Sequence, residues 1–276
     1  MTNKFNDKVV VVTGGTSGIG LATAKAFADE GASVFITGRR QETLDAAVKA
    51  IGGRVTGVQG DMAKLADIDR LYDAVQQQHA QIDVVFANAG GGEMMPLGAI
   101  TEEHYQSTFD TNVKGVLFTV QKALPLLKDG ASVILTSSTT SISGTPAFSV
   151  YSATKAAVRN FARNWILDLK DRRIRVNAVS PGLINTPAYS KMGVSQEMID
   201  SWAGDVPLGC RSNHEGGSSG GVHCGRSNDL SLHCGLTTVD GWSVRANHAC
   251  NSGPLADSAK NGNPIETTNR PSSQNA

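Results

Sequence analysis

The chain has 276 residues, with 25 basic and 25 acidic side chains and a hydrophobic fraction of 40%. That length fits one medium-sized domain plus an appendage. A formal net charge of zero gives no electrostatic case for nucleic acid or an anionic membrane as partner, and no apolar run approaches the ~18 residues of a spanning helix.

The polar start Met1-Thr-Asn-Lys-Phe-Asn-Asp7 runs straight into an apolar stretch. It lacks the pattern of a signal peptide, so a cytoplasmic location is expected. Lys8-Val-Val-Val-Val-Thr13 reads as a strand buried on both faces of a parallel sheet. Gly14-Gly-Thr-Ser-Gly-Ile-Gly20 follows, and then the helical pattern Leu21–Ala28. Strand, glycine loop and helix together fit a dinucleotide site. Gly14, Gly18 and Gly20 permit a tight turn, and a pyrophosphate can approach the helix N-terminus past Thr16, Ser17 and Ile19. The loop lacks the Lys-Ser/Thr ending of a triphosphatase P-loop. The plainer alternative is a flexible turn.

Ser33–Thr37 reads as a second strand, after Gly31 closes the first helix. Further strands are expected at Arg54–Gln59, Ile82–Ala87, Ser132–Thr136 and Ile174–Val179, with helices around 41–51, 64–79, 102–128 and 151–171. Alternating units of this kind give an α/β fold: a Rossmann-like doubly wound parallel sheet in three α/β/α layers. Ligands of such sheets lie beyond the C-terminal strand ends. The residues after the second strand, Gly38-Arg39-Arg40, include no acid to accept bonds from a ribose 2′-hydroxyl. Gly38 leaves room, and Arg39 offers a guanidinium to a 2′-phosphate. NADP(H) is therefore expected as the preferred cofactor, with NAD(H) as the alternative. In the plainer reading, Arg39 and Arg40 are solvated charges at a helix start.

Tyr151 and Lys155 stand four apart on an expected helix and so share one face. A free phenol, with a pKa near ~10, is a poor proton carrier at neutral pH. A neighbouring ammonium would pull it down toward the working range. Ser138, thirteen residues earlier, could hold a substrate oxygen beside the phenol. Such a group moves a proton on and off an alcohol or carbonyl oxygen.

Residues 1–209 resemble the short-chain dehydrogenase/reductase family in its compact single-domain form, closest in look to NADP-dependent alcohol dehydrogenases and ketoreductases. The resemblance rests on Thr13-Gly-Gly-Thr-Ser-Gly-Ile-Gly20, Asn88-Ala89-Gly90, Asn112, Ser138, Tyr151-x-x-x-Lys155 and Pro181-Gly182-Leu-Ile-Asn-Thr186, in order along the chain. It implies that Tyr151 is the general acid or base, that Lys155 lowers its pKa and binds the nicotinamide ribose, and that Ser138 polarises the carbonyl. Asn112 would hold a water linking Lys155 to solvent. Asn88, Ala89 and Gly90 would line the adenosine and ribose side, with Asp61 and Met62 at the adenine edge. Pro181 and Gly182 would bind the cofactor, and Ile184 and Thr186 would hold its carboxamide. It also implies a small alcohol or ketone substrate and a homo-oligomer.

Plainer readings accompany several of these. Asn112 could only satisfy backbone groups near a helix kink, Ser138 could be a strand-end cap, and Asp61 could cap the following helix. Ala147, Phe148, Met94, Met95 and Tyr189 are compatible with an apolar substrate pocket or with ordinary packing.

After Gly209 the composition changes. From Cys210 to Ala276 there is no Phe, Tyr or Met, and all four cysteines fall here. Only Val239-Asp-Gly-Trp242 matches the final strand that the family has, so the last helix and strand are expected to be abnormal or missing. Three origins compete for residues 210–276. A zinc site lacks any C-x2-C or H-x3-H spacing, and no metal is expected. A disordered extension agrees with the Gly/Ser/Asn-rich composition. A shifted reading frame is the third: shifted codons let Val222-His-Cys-Gly225 encode Phe-Ile-Ala-Ala, and Leu232-His-Cys-Gly235 encode Tyr-Ile-Ala-Gly. The leading function is an NADP-dependent oxidoreductase acting on a secondary alcohol or ketone. The alternative is an impaired Rossmann protein that binds nucleotide without turnover. A sugar-nucleotide epimerase is disfavoured by the glycine pattern and the short substrate region.

Overall fold

Four consecutive valines make the first strand, β1 (Val9–Val12), and all four are buried. Their alternation feeds two separate cores. Val10 and Val12 pack with Ala24 and Phe27 of α1 (Gly18–Asp29) and with Leu44, Ala47 and Ile51 of α2 (Gln41–Ile51). Val9 and Val11 pack on the opposite face with Ile68, Leu71 and Val75 of α3 (Leu65–Gln78). A strand buried on both faces needs apolar residues at every position, which is why the run is continuous rather than alternating. This coordinate set is a computed structural model, and it describes residues 3–187, Tyr189, residues 194–204, and the short strands Ser212–Asn213, His223–Cys224, Thr237–Val239 and Val244–Arg245.

The remaining parallel strands are β2 (Ser33–Gly38), β3 (Val55–Gln59), β4 (Ile82–Ala87), β5 (Leu127–Thr136) and β6 (Arg175–Ser180). They lie in the order β3-β2-β1-β4-β5-β6, each parallel to its neighbour. The order reverses between β1 and β4, so a crevice opens above their C-terminal ends. Helices cover both faces, as expected for a doubly wound sheet.

The helix expected over 102–128 is divided. It consists of α4 (Glu102–Phe109), a π-helical turn Asp110–Lys114, and α5 (Gly115–Ala123). Leu127, placed in that helix by the sequence reading, instead opens β5 and pairs with Ile82. The register then slips before Ser132 meets Val84, across a turn in which Gly130 adopts φ +79°. A short apolar run such as Leu126-Leu127 fits a helix end or a buried strand equally well, and periodicity cannot separate them. The 20-residue helix α6 (Ser149–Asp168) and the shorter α7 (Gln196–Gly204) complete the described helices.

Thr237–Val239 lies antiparallel beside β6, with Thr238 opposite Val179. Otherwise the expectations for 210–276, including disorder, a shifted frame and an abnormal last helix, fall outside the described residues. Among the described residues, no helix is long and apolar enough to cross a membrane, and no three His, Cys, Asp or Glu side chains gather as metal ligands.

Candidate active site

Threonines near the strand ends hold the glycine loop. Thr13 Oγ1 accepts from the backbone N–H groups of Asn88 and Ala89, both at 3.0 Å. Thr37 Oγ1 accepts from Gly14 N–H at 3.1 Å. Asn88 Nδ2 donates to the carbonyls of Thr13 and Gly14, and its Oδ1 accepts from Thr136 Oγ1. Its amide thus ties β1, β4 and β5 together at the crevice. The loop itself requires glycine at two points. A Cβ on Gly14, which has φ +67°, would lie 2.9 Å from Ala89 Cα, and one on Gly20 would lie 2.2 Å from the Gly14 carbonyl oxygen. Ser17 caps α1 in an extended conformation without a side-chain bond to the first turn. The free N–H groups of that turn are the kind of donors that receive a pyrophosphate.

A cleft of about 1190 Å³ runs from this loop across the strand ends. Small-molecule pockets span roughly 300–1,000 Å³, so the space suits a dinucleotide together with a substrate. Every cofactor-side residue named from the sequence lines it, from Gly14 to Thr186, as do Ser138, Tyr151 and Lys155. Arg39 lines the cleft while exposed. Asp61 also lines it, but its Oδ1 accepts from Ala63 N–H in a local turn. Asp67 in turn accepts from Asp61 N–H, and that bond holds the Asp67 carboxyl below the usual carboxylate range. Asp61 thus braces the turn before α3, whose N-cap is Lys64 rather than Asp61. These residues fit a dinucleotide: glycines where backbone must approach it and a helix start beneath.

Tyr151 and Lys155 stand one turn apart on α6. Lys155 sits in the buried stripe Thr154, Val158, Ala162 of that helix and is 3% exposed. Its Nζ donates to the Thr136 carbonyl at 2.9 Å and stands 5.5 Å from the Tyr151 ring centroid. Burial lowers the Lys155 pKa to about 8. Burial also pushes the Tyr151 phenol up to about 12, against a hydrogen bond from Ser138 that favours the phenolate; neighbouring Tyr189 raises it further. This corrects the sequence expectation of a phenol pulled down by its lysine. Removing the phenolate from water costs more here than the Ser138 hydrogen bond returns. Ser138 both faces the phenol and caps a local turn. Besides meeting Tyr151, its Oγ accepts from Thr140 N–H at 3.2 Å as the cap of a short turn.

Asn112 lies against Gly90 and Gly91, on the Lys155 side of this glycine strap. It is fully buried in the π-helical turn and does not line the cleft. Its Oδ1 accepts from Gly91 N–H at 3.0 Å, and its Nδ2 donates to the Gly91 carbonyl at 2.7 Å and to Thr154 Oγ1 at 3.0 Å. Its side-chain amide is committed to protein partners. Thr154 Oγ1 then donates to the Tyr151 carbonyl at 2.6 Å. Sequence reasoning missed the bonding roles of Thr13, Thr37, Thr136 and Thr154, and Gly91 and Gly92, which join Gly90 in a strap beside Tyr151. The available signals were polar residues ending apolar strands and three glycines in succession.

A doubly wound sheet with its glycine loop at the switch point, and a Ser-Tyr-Lys group beside it, defines the architecture of a dinucleotide-dependent oxidoreductase. The family model described as short chain dehydrogenase matches residues 8–196. An oxidoreductase of Sarocladium schorii is 48% identical over 207 residues, covering 74% of this chain and 83% of that protein. The NADP-dependent (R)-specific alcohol dehydrogenase of Lentilactobacillus kefiri is 35% identical over 241 residues, covering 85% of this chain and 90% of that protein. Among solved structures, a short chain dehydrogenase from Burkholderia cenocepacia in complex with NADP superposes with a TM-score of 0.71 at 28% identity, covering 77% of this chain and 87% of that one. The chain belongs to the short-chain dehydrogenase/reductase family. It is an oxidoreductase of that family, whose members bind NAD(P) and act on small molecules.

Proposed function

We propose that the protein interconverts a secondary alcohol and a ketone with NADP(H), using residues 1–209 as its catalytic unit and Tyr151 as general acid and base. The observation that carries this is the convergence of Ser138, Tyr151 and Lys155 on the same cleft as the glycine loop. Gly14, Gly18 and Gly20 with the start of α1 would take the pyrophosphate, Asp61 and Met62 the adenine edge, and Lys155 the ribose hydroxyls. Ile184 and Thr186 would take the carboxamide. When bound, the nicotinamide supplies or accepts the hydride. In reduction, the Tyr151 hydroxyl donates its proton to the carbonyl oxygen as negative charge develops there. Ser138 orients that oxygen by a second hydrogen bond. In oxidation, the phenolate takes the alcohol proton back. Ketone-dependent loss of NADPH absorbance tests the reading. NADPH binding with no turnover of any ketone or alcohol would favour a non-catalytic nucleotide-binding protein instead.

The high pKa of the phenol sets the direction of the pH dependence. A phenol held near 12 is fully protonated at neutral pH and ready to donate. Alcohol oxidation needs the phenolate, whose fraction grows with pH. The oxidation rate should therefore climb steadily between about pH 6 and 10, with no matching rise in ketone reduction. A flat oxidation profile over that range would contradict Tyr151 as the base.

NADPH should bind more tightly than NADH, and Arg39→Asp should reverse the order. Among the described residues, no ion pair is formed by Arg39, and no carboxylate of β2 faces the 2′ position. A charge-assisted hydrogen bond contributes roughly 1.5–3 kcal/mol, about tenfold or more in affinity. Fluorescence titration with both cofactors measures it. Equal dissociation constants in the parent protein would refute the assignment.

A further inference from the structure

We propose that the substrate is an uncharged aromatic ketone, or the matching aryl alcohol, seated against Phe148, Tyr189 and Trp202. This rests on the alcohol–ketone reading above and specifies the substrate end of the same cleft. Three separate elements bring these rings together. Phe148 sits at the N-terminal end of α6, Tyr189 follows the nicotinamide-side segment, and Trp202 is on α7. All three line the cleft.

The rings form a continuous edge-to-face series that starts at the reacting phenol. Tyr151 meets Phe148 at 5.7 Å and 77°, Phe148 meets Trp202 at 6.5 Å and 75°, and Trp202 meets Tyr189 at 6.4 Å and 61°. A series that served only packing would be covered. Here Phe148 is buried, but Trp202 and Tyr189 keep part of their surface open. On α7, Ile199 is the residue turned fully inward, while Asp200 and Ser201 are exposed. Trp202 lies between these extremes, at the cleft wall. Edge-to-face rings with open surface receive another ring favourably, because the positive edge of one meets the negative face of the next.

The charges agree with a neutral ligand. Among the described residues, Arg39 and Lys155 are the only Lys or Arg side chains lining the cleft. Arg39 belongs to the end of β2, at the nucleotide side, and Lys155 is buried behind the phenol on the Thr136 carbonyl. Among the described residues, a substrate carboxylate or phosphate would find no lysine or arginine at the aromatic end. It would also share the cleft with the exposed carboxylate of Glu93.

The test compares kcat/KM for acetophenone, acetone and acetoacetate with saturating NADPH. One methylene in an apolar pocket is worth roughly 10–200-fold, so a phenyl ring in place of a methyl should favour acetophenone over acetone by about 10²-fold or more. Acetoacetate should be the poorest of the three. Trp202→Ala should lower the acetophenone-to-acetone ratio about tenfold, and Trp202→Phe should keep most of it. NADPH affinity, measured separately, should stay at the parent value in both variants. A ratio near one, a preference for acetoacetate, or a ratio unmoved by Trp202→Ala would overturn the aromatic assignment while leaving alcohol–ketone chemistry standing. No turnover of any of the three, with NADPH bound, would instead overturn the alcohol–ketone reading and this inference with it.

Discussion

Replacing Tyr151 by Phe is expected to leave NADPH binding nearly intact and to lower turnover by roughly 10²–10⁴-fold, the usual contribution of a general acid or base. The substitution removes one oxygen and nothing else. The ring stays, and with it the edge-to-face contact with Phe148. The Tyr151 carbonyl still accepts from Thr154, since that bond is made by the backbone. Lys155 also keeps its bond to the Thr136 carbonyl, so the ribose side of the cleft is undisturbed. What is lost is the proton carrier at the position Ser138 addresses. Single-turnover kinetics beside a fluorescence titration of NADPH separates the two effects. A variant turning over near the parent rate would remove Tyr151 from the mechanism, whereas loss of NADPH binding would show that the phenol serves the cofactor site instead.

The strands were legible because a sheet covered on both faces leaves no room for polar alternation. Val9–Val12 and Ile82–Ala87 carry that signature directly. The glycine loop was legible for a related reason. Its backbone must pass close to Ala89 and to its own helix, and only glycine permits that. The limits of the reading lie where tertiary contacts decide. Asn112 stood out in the sequence, but its bonds to Gly91 and Thr154 join segments 21 and 42 residues away. The phenol and lysine were paired correctly on one face of α6. The sign of the Tyr151 shift was not, because burial depends on what surrounds the helix and not on its spacing. The end of the 102–128 helix was misplaced because Leu126 and Leu127 suit either kind of element, and only the partner Ile82 settles it.

The strap Gly90-Gly91-Gly92 yields the second large effect: Gly92→Ala is expected to lower kcat by about 10²-fold, while Gly91→Ala stays near the parent. A Cβ on Gly92 would lie 2.6 Å from Tyr151 Cδ2 and 3.1 Å from its Cβ and Cγ. A Cβ on Gly91 would meet nothing within 4 Å. Neither glycine has a positive φ, so alanine is compatible with the backbone at both and only the contact differs. The strap cannot easily retreat. Asn112 holds the N–H and the carbonyl of Gly91 at once, and it is itself buried in the π-helical turn. Relief must therefore come from the Tyr151 ring, which turns or slides away from Ser138. Overpacking of this kind costs roughly 1–3 kcal/mol of stability, and a reacting group displaced by about 1 Å costs on the order of 10²-fold in rate. The loss should appear in kcat for every ketone tested, with NADPH affinity changed less than about threefold, because the cofactor side of the cleft does not touch this contact. The pH dependence of alcohol oxidation should shift as well, since the phenol would leave its bond with Ser138, the one interaction that favours its ionised form. A Gly92→Ala protein with parent kcat and an unshifted profile would show that the strap yields to the ring, and that Tyr151 is positioned by α6 alone.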